Sequence, residues 1–141
     1  MPLHLIKLCV GVSTLQELIE WRDQSLKQKK KKKQPLTIEH TTRQMPKQRD
    51  EILDGGSLYW VIAGQIACRT PIIDLKPCVK NGIPHCKIVM APQTIRVHPR
   101  PFRPFQGWRY LKADDAPSDV AGQVKASERE ILHELRLLGV G

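Results

Sequence analysis

No stretch of this sequence is long and apolar enough to cross a bilayer: the longest uncharged apolar run, Ser57 to Cys68, falls well short of the roughly 20 residues a spanning helix needs. The amino-terminal apolar residues follow no basic region, are interrupted by Lys7 and lead to no small-residue cleavage site, so they predict a strand rather than a signal peptide. Cysteine is scarce. Cys9, Cys68, Cys78 and Cys86 form no regularly spaced pairs and nothing indicates secretion, so free, mostly buried thiols in a cytoplasmic protein are expected. The chain also lacks a Gly-x-Ser-x-Gly elbow, a glycine-rich phosphate loop and a His-Glu-x-x-His helix, which removes the hydrolase, nucleotide-binding and metalloprotease classes those motifs mark. Gly55-Gly56 is too short for a phosphate cradle and reads as a helix stop.

What is present suits one domain spanning residues 1–141. A chain of 141 residues with 40% hydrophobic content can build a single core. The net charge of +9 is unevenly spread, because Lys27 and Lys29 to Lys33 carry six charges and leave the rest at +3. The stretch 27–35 contains no apolar side chain before Pro35 and is expected to be a disordered lysine-rich surface loop, unable to offset its own ordering entropy.

Leu3 to Val10 and Leu58 to Ala63 are apolar on both faces, the mark of central strands. Ser13 and Gln16 suggest a capping box for a helix from about Thr14 to Leu26 carrying Leu15, Leu18, Ile19 and Leu26 on one side. Leu36 to Thr42 reads as a strand, and Pro46 as the first turn of a short helix stopped at Asp54-Gly55-Gly56. Asn81-Gly82 predicts a two-residue type I′ turn. Its register sets Val79 opposite Pro84, Cys78 opposite His85, Pro77 opposite Cys86, Leu75 opposite Ile88 and Ile73 opposite Met90. Ile73, Leu75, Cys86, Ile88 and Met90 then form the core face, and Asp74, Lys76, Cys78, His85 and Lys87 the wet one. Thr94 to His98 alternates as a strand, whereas Pro99, Pro101 and Pro104 predict an extended, unpaired path from Arg100 to Gln106. Ser127 and Glu130 predict a capping box for a final helix bearing Ile131, Leu132, Leu135 and Leu138. The fold expected is α+β: a single compact domain with a curved, mainly antiparallel sheet, a barrel-like form being one alternative, packed by two main helices.

Three constellations bear on function. Cys78, His85 and Cys86 are the only close metal-ligand types, but the hairpin register turns the two cysteines to opposite faces, so no metal site and no cofactor are assigned. His40, Thr42 and Arg43 gather an imidazole, a hydroxyl and a guanidinium, which suits either a small anion pocket or an ordinary polar strand end. Between residues 96 and 112, Arg96, Arg100, Arg103 and Arg109 alternate with Phe102, Phe105, Trp108 and Tyr110 and with no acid among them. Cations interleaved with aromatics fit phosphate contacts with base stacking. The same pattern arises when aromatics pack an extended segment onto a sheet and leave the arginines in water.

The segments Pro2 to Gly11, His40 to Arg43, Asp54 to Ile62, Arg103 to Leu111 and Asp115-Ala116-Pro117 together resemble the bacterial domain of unknown function 1489 family, a resemblance that covers nearly the whole chain and implies no established activity. The lysine run departs from that family's usual pattern. A fainter likeness in architecture alone links the order helix, glycine stop, apolar strand and hairpin to small RNA-interacting β-barrel domains of the pseudouridine-synthase-associated and ASCH types. The leading expectation is a non-catalytic module that binds RNA, single-stranded DNA or another polyanion through Arg43, Lys47, Arg96, Arg100, Arg103, Trp108 and Arg109. The alternatives are a small enzyme or binding protein for an anionic metabolite at His40, Thr42 and Arg43, and a scaffold that docks a partner through its proline-rich segment.

Overall fold

The computed structural model describes residues 3–120. In chain order it contains β1 (Leu3–Leu8), α1 (Leu15–Lys31), β2 (Ile38–Thr42), α2 (Arg49–Leu53), β3 (Ser57–Ile62), β4 (Gln65–Lys80), β5 (Ile83–Met90), β6 (Ile95–Pro101), β7 (Trp108–Lys112) and a single 3-10 turn at Ala113–Asp115. The helix predicted after Ser127 lies outside the described residues. The fold is α+β, with a seven-stranded sheet in the order β2-β5-β4-β3-β1-β7 and β6 paired to β4. All neighbours are antiparallel except β1 with β3. The sheet is open, so the barrel-like alternative is not adopted.

Strand β3 is buried at every position, as its two-sided apolar pattern requires. Leu58, Trp60 and Ile62 point into one core, with Leu5, Leu18, Ile38, Leu75, Ile88 and Met90. Tyr59 and Val61 point into a second core with Ile6, Ile66, Val97 and Leu111, as the alternation of a strand dictates. Helix α1 covers the first core through Leu18. The second is covered by Phe102 and Phe105 from the segment after β6 and by Ala116 after the 3-10 turn.

The Asn81-Gly82 turn forms with φ of 53° and 76°, and Leu75↔Ile88, Pro77↔Cys86, Cys78↔His85 and Val79↔Pro84 pair as expected. The expected Ile73–Met90 pairing is corrected. A bulge between Ile72 and Asp74 pairs Ile72 with Met90 and leaves Ile73 exposed. An extra residue there bends β4, and the strand changes partners at this point, its first half lying on β3 and β6 and its second half on β5.

Three further expectations are corrected. The helix cap is Thr14, whose Oγ1 accepts from Glu17 N at 3.2 Å while Glu17 Oε2 accepts from Ser13 N at 3.2 Å. This places the capping box one residue beyond Ser13 and Gln16, and a carboxylate suits a helix N-terminus better than an amide. The lysine run is not a loop from residue 27, because α1 continues through Lys31. Lysine is a good helix former, and Lys29, Lys30 and Lys31 face the negative end of the helix dipole. The end is a Schellman motif: Lys33 N donates to Lys30 O at 3.2 Å and Gln34 N to Lys29 O at 2.8 Å, with Lys33 at φ 57° in the position glycine normally takes. Finally, β6 runs through Pro99 to Pro101, pairing Pro101 with Gln65 and Arg100 with Ile66. Prolines are tolerated there because β6 has a partner strand, β4, on one side only, and the next ladder donor is Phe102 N, 2.9 Å from Gly64 O.

Candidate functional site

A cavity of about 330 Å³ opens on the α1 side of the sheet, between the end of β1 with its following loop, the middle of α1, β2, and Trp60 of β3. Period two along β2 turns Ile38, His40 and Thr42 inward and leaves Glu39 and Thr41 outside. On α1, Leu18 and Arg22 lie four residues apart and share the covered face. Leu18 enters the core and Arg22, one turn on, reaches the cavity.

Arg22 is the site's most unusual residue. It is only 3% exposed. Its Nη1 donates to Thr70 Oγ1 and Thr94 Oγ1, both at 2.8 Å, the guanidinium lies 5.6 Å from the centroid of Trp60, and Nε is buried with no hydrogen-bond partner. None of the ion pairs among the described residues includes Arg22 or Lys7, which also lines the cavity. Cys9 and Cys68 are the neighbouring groups able to become anionic, but burial pushes both thiols up, Cys68 to about 12. Both stay neutral at physiological pH. Glu39, the one acidic residue that lines the cavity, turns its side chain outward and pairs with Lys87 at 3.6 Å. A guanidinium stays charged in any protein environment, so Arg22 carries a desolvated charge with no counter-ion from the described residues, an arrangement that costs several kcal/mol on the scale of buried ions.

His40 stands beside it, its ring 5.5 Å from Trp60 and nearly perpendicular to it. Its Nε2 is buried and unpartnered. Burial first, then the charges of Lys7 and Arg22, bring its pKa down to about 4, so the ring is neutral at pH 7. It offers one hydrogen bond to a ligand and no charge.

The sequence-predicted anion pocket is therefore rearranged. His40 and Thr42 share the inner face, but Arg43 lies beyond the strand end and is exposed. The cations that accompany His40 are Arg22 and Lys7. Neither stands in a motif, and the only sequence signal is that Arg22 falls four residues after Leu18 on the apolar side of the helix.

The cation and aromatic segment is divided by the topology. Arg96 and Arg100 lie on β6 and Trp108 and Arg109 on β7, with β4, β3 and β1 between these strands. Three of the four aromatics, Phe102, Phe105 and Trp108, are also engaged within the fold, and Tyr110 is exposed. Phe102 and Phe105 pack edge to face at 5.4 Å over the second core, and Arg109 covers Phe105 at 4.8 Å. Trp108 packs against the first core and donates through Nε1 to Gln44 O at 2.8 Å. Tyr110 accepts at its hydroxyl from Lys47 N at 3.0 Å. Arg100 donates to Asp115 O, and the side chains of Arg43, Lys47, Arg96 and Arg103 are exposed.

On the opposite face a second polar cluster is internally satisfied. Arg69 grips Asp119 through Nε at 2.8 Å and Nη2 at 2.7 Å and reaches Ser57 Oγ at 2.9 Å, while His4 Nδ1 accepts from Ser57 N at 3.0 Å. All four cysteines are free, and among the described residues no three His, Cys, Asp or Glu side chains gather as metal ligands. No helix among them is long and apolar enough to cross a membrane.

Residues 5–140 match the family described as "Protein of unknown function (DUF1489)". The chain belongs to this family. The match spans nearly all of the sequence, including every residue of the cavity, and agrees with the resemblance read from the sequence segments. Neither a curated protein nor a solved structure matches the chain.

Proposed function

We propose that this DUF1489 protein binds a small molecule bearing an anionic group in the cavity formed by β1, α1, β2 and Trp60. The observation that carries the reading is Arg22: a cation buried to 3% exposure with an unpartnered Nε and no acidic partner among the described residues. A ligand anion there supplies the missing counter-charge, and a charge-assisted hydrogen bond in a desolvated site is about twice as strong as a neutral one. Lys7 adds a second positive charge, and neutral His40 contributes a hydrogen bond. Mostly apolar walls with a few convergent polar groups are the usual make-up of a small-molecule site.

Thermal unfolding of the purified chain against matched pairs of small anions and their neutral isosteres tests this. A ligand at 100 times its dissociation constant stabilises by about 2.7 kcal/mol, so anions should raise the melting temperature by several degrees and the isosteres should not. If no carboxylate or phosphate shifts it at millimolar concentration, the reading fails. A second reading, a surface for RNA or single-stranded DNA, is supported by the exposed Arg43, Lys47, Arg96 and Arg103. It has less behind it, because Phe102, Phe105 and Trp108 pack within the fold and Tyr110 alone of these aromatics is exposed.

A further inference from the structure

We infer that the cavity takes its ligand anion first: an amphipathic monocarboxylic acid whose carboxylate meets Arg22 and Lys7 and whose apolar tail leaves between Val10 and Trp21. This deepens the reading above and rests on it. The polarity of the cavity carries it. At the closed end stand Arg22 and the buried Nε2 of His40. At the mouth stand Val10 and Trp21, which line the same cavity yet are 82% and 63% exposed. A site for a compact hydrophilic metabolite needs polar groups around its whole rim. This one has its charge inside and two large apolar side chains in water at the opening, so an occupant with a hydrocarbon tail covers surface that is otherwise wet.

Desolvation and the geometry of the guanidinium favour a carboxylate over a phosphate. Two cations face the cavity, His40 is neutral, and the other lining side chains are mostly apolar, so each further negative charge brought in from water adds to the desolvation cost. Arg22 Nη1 is committed to Thr70 and Thr94, and the other edge of the guanidinium, Nε with Nη2, matches the two oxygens of a planar carboxylate. Size is consistent with a chain of modest length. At about 30 Å³ per heavy atom, the share of one water in the liquid, a cavity of about 330 Å³ holds on the order of ten heavy atoms, as in octanoate.

Isothermal titration of the full chain with butyrate, hexanoate, octanoate, octanol, inorganic phosphate and glucose phosphate provides the test. Octanoate should bind, with affinity rising about fourfold per methylene from butyrate upward, and octanol should bind at least about tenfold more weakly. Arg22→Met should abolish the preference for octanoate over octanol. Trp21→Ser, at an exposed position, should weaken octanoate severalfold and leave butyrate unchanged, a readout that survives if Arg22→Met does not fold. If phosphate or glucose phosphate binds more tightly than octanoate, and does so through Arg22, the ligand class is wrong while the anion site stands. Equal binding of octanol and octanoate, or no binding by any anion, overturns both.

Discussion

Replacing Arg22 by methionine separates a residue kept for a ligand from one kept for the fold. The substitution removes a desolvated charge whose burial costs several kcal/mol. It also removes two charge-assisted hydrogen bonds to Thr70 and Thr94, worth about 1.5–3 kcal/mol each, and a cation–π contact with Trp60 worth about 0.5–2 kcal/mol. The partners left behind are not stranded. Thr70 Oγ1 still accepts from Trp60 Nε1 at 3.2 Å, and Thr94 is half-buried and within reach of water. Methionine fills a similar volume and adapts to irregular space. The opposing contributions cancel to within about 2 kcal/mol, so the apo variant should be about as stable as the parent while losing anion binding. Urea unfolding with an unchanged slope m measures this. A loss above about 3 kcal/mol would make Arg22 a structural tie between α1 and β4, and its missing counter-ion would no longer argue for a ligand.

The depressed His40 pKa makes stability depend on pH. Because the folded ring titrates near 4 and the ordinary value is 6.5, the unfolded chain binds more protons in between. Stability should therefore be lost as pH falls from about 6.5 to about 4, by on the order of 1–2 kcal/mol once solvent screening of a partly buried ring is allowed for. His4 is shifted in the same direction, so the difference between the parent and His40→Leu in acid unfolding isolates the His40 share, and identical profiles would contradict it. Gly56→Ala should cost more than about 2 kcal/mol, since a Cβ there would lie 2.4 Å from both Ile52 O and Leu3 O, and an unchanged melting temperature would disprove that packing. For single-stranded RNA, Arg96, Arg100 and Arg103→Gln should change affinity by no more than about twofold, whereas Lys27, Lys30 and Lys31→Gln should flatten the salt dependence. A tenfold loss from the arginine variant, as judged by filter binding, would return the sheet edge to consideration as a nucleic-acid surface.

Local chemistry by itself determined the elements whose cause is local. Asn81-Gly82 dictates its hairpin because a type I′ turn needs positive φ at both positions, and the two-sided apolar pattern of residues 58–62 makes β3 central because neither face can be left in water. Free thiols and the helix stop at Gly55-Gly56 follow in the same way. The lysine run misled because its helix ends in a motif that usually advertises itself with glycine and here uses Lys33. The bulge that turns Ile73 outward depends on where β4 changes partners, which no period along one strand records. The site is furthest from the sequence. His40 was visible as a titratable group on a strand, but its companions Arg22 and Lys7 come from α1 and β1, brought together only when the sheet curves beneath the helix. The same folding sends Arg96 and Arg109 to strands separated by three others. Tertiary structure alone decided which charges became neighbours, because burial and counter-charge are properties of the surroundings a side chain meets in space, and those are set by sheet order rather than by distance along the chain.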